Sequence, residues 1–289
     1  MSSYVVVSWD TETTGLKRDD QIISLGAVAT IYEQSKNLSE FGKLTQKVIG
    51  EFHEFIHTDL PITSEHIHHI SAQVLKDANA QPFAVVLQQW QTWLRSFNKP
   101  IILIAHNGRA FDEKILYCNM INHDPPIPFV EWMKQSRVHG FLDSLVLFKT
   151  KQKQIKDLVV HPVTKVPSLT LNIIHLSWCG FEMPGHHNAL ADAQALCRIL
   201  NTPLFKTHFK LNDLIQKVSI VQKTWQALTQ QTGIETKRKL DECEAESNKR
   251  QKTMKFEPIS DYVGDDSWKC CTRCITFCDI LENHECVTT

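Results

Sequence analysis

Asp10 and Glu12 stand one residue apart at the end of the run Tyr4-Val5-Val6-Val7-Ser8-Trp9, with Thr13, Thr14, Gly15 and Leu16 following. In an extended chain residues i and i+2 project to the same face, so the two carboxylates would lie side by side at the end of an apolar strand. Left alone they repel one another. A solvated strand end tolerates that repulsion, and exposed acids there are common. A divalent cation is the other resolution: Mg²⁺ or Mn²⁺ takes hard oxygen ligands and turns the repulsion into binding. Further acids should then converge on the same edge. Asp112, in "AHNGRAFD", falls just inside a helix that follows a buried strand, and Asp192, in "HHNALAD", falls in the first turn of a late helix. Stabilisation of each helix's first turn through the macrodipole is the alternative for either acid. His187 precedes Asp192 by five positions. That is about 140° around a continuous helix, so His187 belongs to the loop before it. There an imidazole can reach a water held beside the acids and act as a general base.

These side chains need a scaffold that brings distant segments to one rim. Tyr4–Trp9 reads as a buried strand and Gln21–Tyr32 as a second, joined by the polar turn "KRDD", with a third over Lys43–Ile49. Ser64–Ala78 and Pro82–Phe97 have helical apolar spacing, and "PIILIAHN" is a short, fully apolar strand. A helix at "AFDEKILYCNMI" and a strand running into a helix at "GFLDSLVLFKTK" follow. Ser168–Trp178 and Asn188–Leu200 complete the helices, the last with Asn188 as its N-cap. The alternation predicts an α/β fold with a mixed sheet, whose strand–helix junctions share a rim where such folds place their sites.

At 289 residues and 42% apolar content the chain holds one full domain and a smaller appendage. Net charge −1 does not advertise a nucleic-acid partner, so any basic surface must be local. No secretory signal and no apolar run of about 18 residues is present, and a soluble, intracellular protein without membrane contact is expected. The nine cysteines then read as reduced thiols or metal ligands.

The segments "DTETTGL", "AHNGRAFD" and "HHNALAD" resemble, in order and spacing, the three motifs of the DEDD exonuclease superfamily over residues 4–200. The last fits His-x-Ala-x-x-Asp with His187, Ala189 and Asp192, which is the histidine (DEDDh, DnaQ-like) branch; the tyrosine of the sister branch is replaced by Asn188. The three-prime repair exonucleases are the group most similar in type. The resemblance implies a ribonuclease H-like mixed five-stranded sheet flanked by helices, and metal-dependent 3′→5′ hydrolysis from single-stranded 3′ ends, DNA favoured over RNA. It also implies two Mg²⁺ or Mn²⁺ ions: Asp10 bridging them, Glu12 and Asp192 completing one, Asp112 supporting the pair, and His187 deprotonating the attacking water. Thr13, Thr14, Gly15 and Leu16 would line the pocket of the 3′-terminal nucleotide, with Gly15 allowing close backbone approach and Leu16 wedging against the base. Asn107 would contact the substrate backbone or form a turn. "ITSEHIHHIS" resembles another family segment, with His69 where glycine is usual and His68 structural. An exoribonuclease, or a nuclear binding or scaffold protein that no longer cleaves, is the alternative reading.

The lysines of "KTKQKQIK" and Lys17-Arg18 read as phosphate contacts or as solvated loops. The organisation expected is a nuclease domain over 1–203, a helical extension over 204–234, a charged linker over 235–260 and a Cys/His-rich tail over 261–289. The linker's "KRKL" and "NKRQK" resemble a bipartite import signal, which implies a nuclear protein, otherwise a cytoplasmic one. In the tail, Cys271, Cys274, His284 and Cys286 could hold Zn²⁺, or reduced cysteines could sit on a helix that docks a protein partner.

Overall fold

A computed structural model describes residues 4–17, 20–34 and 44–209, without the side chains of 32–34 and 44–46. The linker, the cysteine-rich tail, Arg18 and most of the expected helical extension lie outside the described residues. The elements run β1 (Tyr4–Thr13), β2 (Ile22–Gln34), β3 (Leu44–Phe55), α1 (Glu65–His68), α2 (Ala72–Asp77), α3 (Phe83–Ser96) and β4 (Ile101–Ala105). They continue as α4 (Asp112–Ile121), α5 (Phe129–Gln135), β5 (Val138–Asp143), α6 (Ser144–Thr150), α7 (Gln152–Ile155), α8 (Leu171–Cys179), α9 (Ala189–Asn201) and α10 (Pro203–His208).

The five strands form one sheet in the order β3-β2-β1-β4-β5. β1, β2 and β3 are antiparallel neighbours, and β4 and β5 join in parallel. This is the mixed sheet expected. Alternation along β1 sorts its side chains between two helical layers. Val5, Val7 and Trp9 are fully buried, and the Trp9 ring packs on Trp90 of α3 at 5.5 Å and on Phe141 of β5 at 6.1 Å between centroids. Val6, on the other face, shares a core with Ile174 of α8 and with Leu196 and Ile199 of α9.

β3 runs on to Phe55, past the expected end at Ile49, and α5 is a helix where none was expected. Two further departures bear on the site. β1 does not end at Trp9: β2 is long enough to offer partners past it, with Asp10 opposite Gly26 and Glu12 opposite Ser24, so the acids sit in regular strand. The helix expected over Ser64–Ala78 is broken. Nδ1 of His68 accepts the Ile70 amide at 3.0 Å, His69 turns to φ 59°, and Ser71 caps α2 by accepting from Val74 N at 3.2 Å. Apolar spacing persists across the break, which is why the periodicity concealed it.

Candidate active site

β4 pairs with β1 only from Val5 to Ser8. Beyond that point the β4 side of β1 is open, and Asp112 fills it as the first residue of α4. Its Oδ1 accepts from Thr11 N at 3.0 Å and from Thr11 Oγ1 at 2.8 Å. Asp10 and Glu12, two residues apart in the extended strand, face the α9 layer. Gly26, opposite Asp10, explains how α9 comes close enough: a Cβ there would lie 2.2 Å from Leu190 N, so the first turn of α9 rests directly on the β2 backbone.

That contact delivers Asp192. Asn188 caps α9 as expected, its side chain accepting from Ala191 N at 3.1 Å. One turn on, Asp192 meets the strand acids, and one carboxylate oxygen each of Asp10, Glu12 and Asp192 lies within 4.8 Å of the others. Asp192 also accepts a hydrogen bond from the His187 amide, whereas its Oδ1 is buried with no hydrogen-bond partner. Asp112 stands beside this trio without joining it at that range.

Bringing these acids together out of water disfavours their charged forms. Burial, then Asp112, Asp192 and Glu12, hold the Asp10 carboxyl well above the usual range. Glu12 is pushed up to about 8 by burial and by Asp192 and Asp112. Asp112 and Asp192 each rise to about 7, chiefly through burial, with hydrogen bonds from Thr11 and from the His187 amide opposing the rise. An all-oxygen, crowded, partly unsatisfied donor set of this kind fits a hard divalent cation. Asp10, Glu12 and Asp192 are the residues that could hold one, with Asp112 adjacent.

His187 lies outside α9, exposed, at φ 61°. Its ring meets that of His186 edge-on at 3.8 Å between centroids. Partial desolvation, then the nearby imidazoles of His186, His68 and His69, keeps it below the ordinary histidine value and therefore neutral near pH 7.

Of the residues expected around the nucleotide, Thr13, Thr14 and Gly15 are buried and Leu16 is 58% exposed. The Thr14 hydroxyl donates to Asp20 Oδ1 at 2.9 Å and accepts from Gln21 N at 3.0 Å, closing the turn after β1. A Cβ on Gly15 would fall 2.7 Å from Thr63 Oγ1 and 2.8 Å from Asp20 Oδ2, so any larger residue there would have to displace those side chains. Asn107 adopts φ 62° and is exposed, its amide donating to Asp143 Oδ1 at 3.1 Å. His68 is buried: its Nδ1 accepts, so Nε2 carries the proton and faces the Thr13 carbonyl at 3.1 Å. It braces the end of β1.

Sequence reasoning missed three positioning residues. Thr11 anchors Asp112. Gly26 admits α9, and its signal was a glycine inside an otherwise regular strand. Asp143 accepts the amides of Asn107 and Arg109 at 3.1 Å while capping α6 through Leu145 N at 2.8 Å, so it ties the loop before α4 to the end of β5. Its signal was an acid at a strand–helix junction.

The comparisons bear on the same segments. The exonuclease family model of the RNase T type matches residues 7–200. DNA polymerase III PolC-type of Streptococcus pneumoniae serotype 2 (strain D39 / NCTC 7466) is 28% identical over 202 residues, which is 69% of this chain and 11% of that protein. Exonuclease DPD1, chloroplastic/mitochondrial, of Arabidopsis thaliana is 26% identical over 215 residues, 73% of this chain and 59% of that one. The match thus spans about a tenth of the polymerase and less than two thirds of the plant exonuclease. In fold the chain is similar to the zinc-bound form of the E. coli ExoI–ssDNA complex, with TM-score 0.52 and 17% identity over 71% of this chain and 42% of that one. E. coli Exonuclease I in complex with a dA16 oligonucleotide gives 0.51 and 17%, over 72% and 42%. With a family match that runs from β1 to the last turn of α9 and takes in all four acids and His187, the chain belongs to the exonuclease family, in its DEDDh branch with a ribonuclease H-like fold.

Proposed function

We propose that this protein is a divalent-metal-dependent 3′→5′ exonuclease that removes mononucleotides from single-stranded DNA. The convergence of Asp10, Glu12 and Asp192 within 4.8 Å, beside Asp112 and with the exposed His187 just before α9 held below the ordinary histidine value, carries the reading. The relatives supporting DNA are a DNA polymerase and a single-strand DNA exonuclease complex.

Asp10, Glu12 and Asp192 would hold two Mg²⁺ or Mn²⁺ ions, with Asp112 in support, and the ions supply charge stabilisation at the entering and leaving oxygens of an in-line displacement. His187 takes a proton from the attacking water. The water oxygen bonds to phosphorus as the bond to the 3′ oxygen of the penultimate nucleotide breaks, giving a 5′-mononucleotide and a shortened strand whose new 3′ oxygen is protonated from solvent. Exposed Leu16 would pack against the last base, and the Thr13–Gly15 turn would form the backbone floor.

DNA and RNA strands of identical sequence, labelled at either end and incubated with Mg²⁺, test the assignment. Immediate release of label from the 3′ end, faster for DNA, is expected; release beginning at the 5′ end contradicts the polarity, and faster loss of RNA contradicts the sugar preference.

A further inference from the structure

Between Ser144 and Thr170 the chain carries Lys149, Lys151, Lys153, Lys156 and Lys165 against one acid, Asp157, in a protein whose net charge is −1. Four of the lysines are exposed and Lys151 is half-buried, and none forms an ion pair among the described residues. Like charges gathered with a single counter-charge among them repel one another, and a bound polyanion removes that cost.

The segment is built, and it is tied to the active-site rim. Ile155 and Val159 are fully buried, so the lysines ride on a packed base. The loop beyond them is preformed: Val160 bridges Pro167, and His161 Nδ1 accepts from Val163 N at 3.2 Å and Thr164 N at 3.1 Å. At the segment's start, Asp143 holds the amides of Asn107 and Arg109. His106 Nδ1 bonds Ser144 Oγ and its Nε2 bonds the Leu169 carbonyl, each at 2.9 Å, so both ends meet the loop that leads into Asp112. Burial is the main cause that lowers the proton affinity of the His106 imidazole, and the charge of Lys149 adds a smaller push in the same direction.

We propose that Lys149, Lys151, Lys153 and Lys156, with Lys165, form a phosphate-binding track for the strand upstream of the nucleotide being removed. The proposal rests on the exonuclease reading and extends it to a sequence-independent grip, since lysine neutralises phosphate as a point charge without reading bases. Affinity should then grow with strand length until the strand covers the track.

Equilibrium binding of fluorescent single strands of about 4 to about 30 nucleotides to the full chain in EDTA tests this. Lys149→Gln/Lys151→Gln/Lys153→Gln/Lys156→Gln should bind the longest strand about tenfold or more weakly, with its length dependence flattened and its salt slope reduced by roughly 3. The corresponding Lys→Arg variant should restore all three. Equal affinity, length dependence and salt slope in the wild type and the Gln variant overturn the track. Because binding is read without metal, failure of the exonuclease reading would appear separately, as absent nucleotide release by the wild type in Mg²⁺.

Discussion

Asp192 shows how a single residue serves chemistry at the expense of stability. Its Oδ1 is buried without a partner and its carboxyl is raised to about 7. The ordinary value of an unfolded carboxyl is about 4. Between pH ~4 and ~7, and up to ~8 where the raised Glu12 carboxyl also titrates, the folded state therefore holds more protons than the unfolded one, and stability falls as pH rises through that window. The metal-free protein is expected to melt lower at pH 8 than at pH 5.5, and Mg²⁺ or Mn²⁺ should raise the midpoint more at pH 8. Midpoints insensitive to both pH and metal would refute a crowded carboxylate site. Asp192→Asn should melt above the wild type in EDTA at pH 8, at about 2–4 °C per kcal/mol, while losing nucleotide release. His187 gives a different signature, because it is exposed and outside α9. His187→Ala should lower kcat by about 10²–10⁴ and leave the melting midpoint in place. The acidic limb of the wild-type pH–rate profile should lie below about 6.5.

Among the elements, the seat of α9 on β2 decides whether the acids meet. Gly26→Ala would put a Cβ 2.2 Å from Leu190 N, and backbone there cannot yield as a flexible side chain would. The variant should lose about 1–3 kcal/mol in denaturant unfolding, and its kcat should fall as Asp192 is displaced from Asp10. Wild-type kcat in a folded Gly26→Ala protein would contradict this seat. Most of what places the acids was legible: strand order of appearance, the Asn188 cap and the loop position of His187 all follow from local chemistry. The extension of β1 through Thr13 was not, because it depends on β2 supplying partners beyond Trp9. Nor was the break at His69, because the hydrogen bond from Ile70 N to His68 leaves the apolar spacing intact.

Over the whole molecule, the acids come from β1, α4 and α9, separated by up to 182 positions between Asp10 and Asp192, and only the sheet order β3-β2-β1-β4-β5 brings them to one rim. The sequence motifs indicated that they meet; Thr11, Gly26 and Asp143, which make them meet, are ordinary residues whose roles exist only in the folded chain. The near-neutral net charge likewise conceals an acidic cluster and a separate lysine-rich segment. The most direct measurement is mononucleotide release from a 3′-labelled single strand by the wild type, Asp10→Asn and His187→Ala, with Mg²⁺ and with EDTA. The wild type should release nucleotide in Mg²⁺ alone, and both variants should fall by about 10² or more. Release by the wild type in EDTA, or undiminished turnover in either variant, would contradict the account.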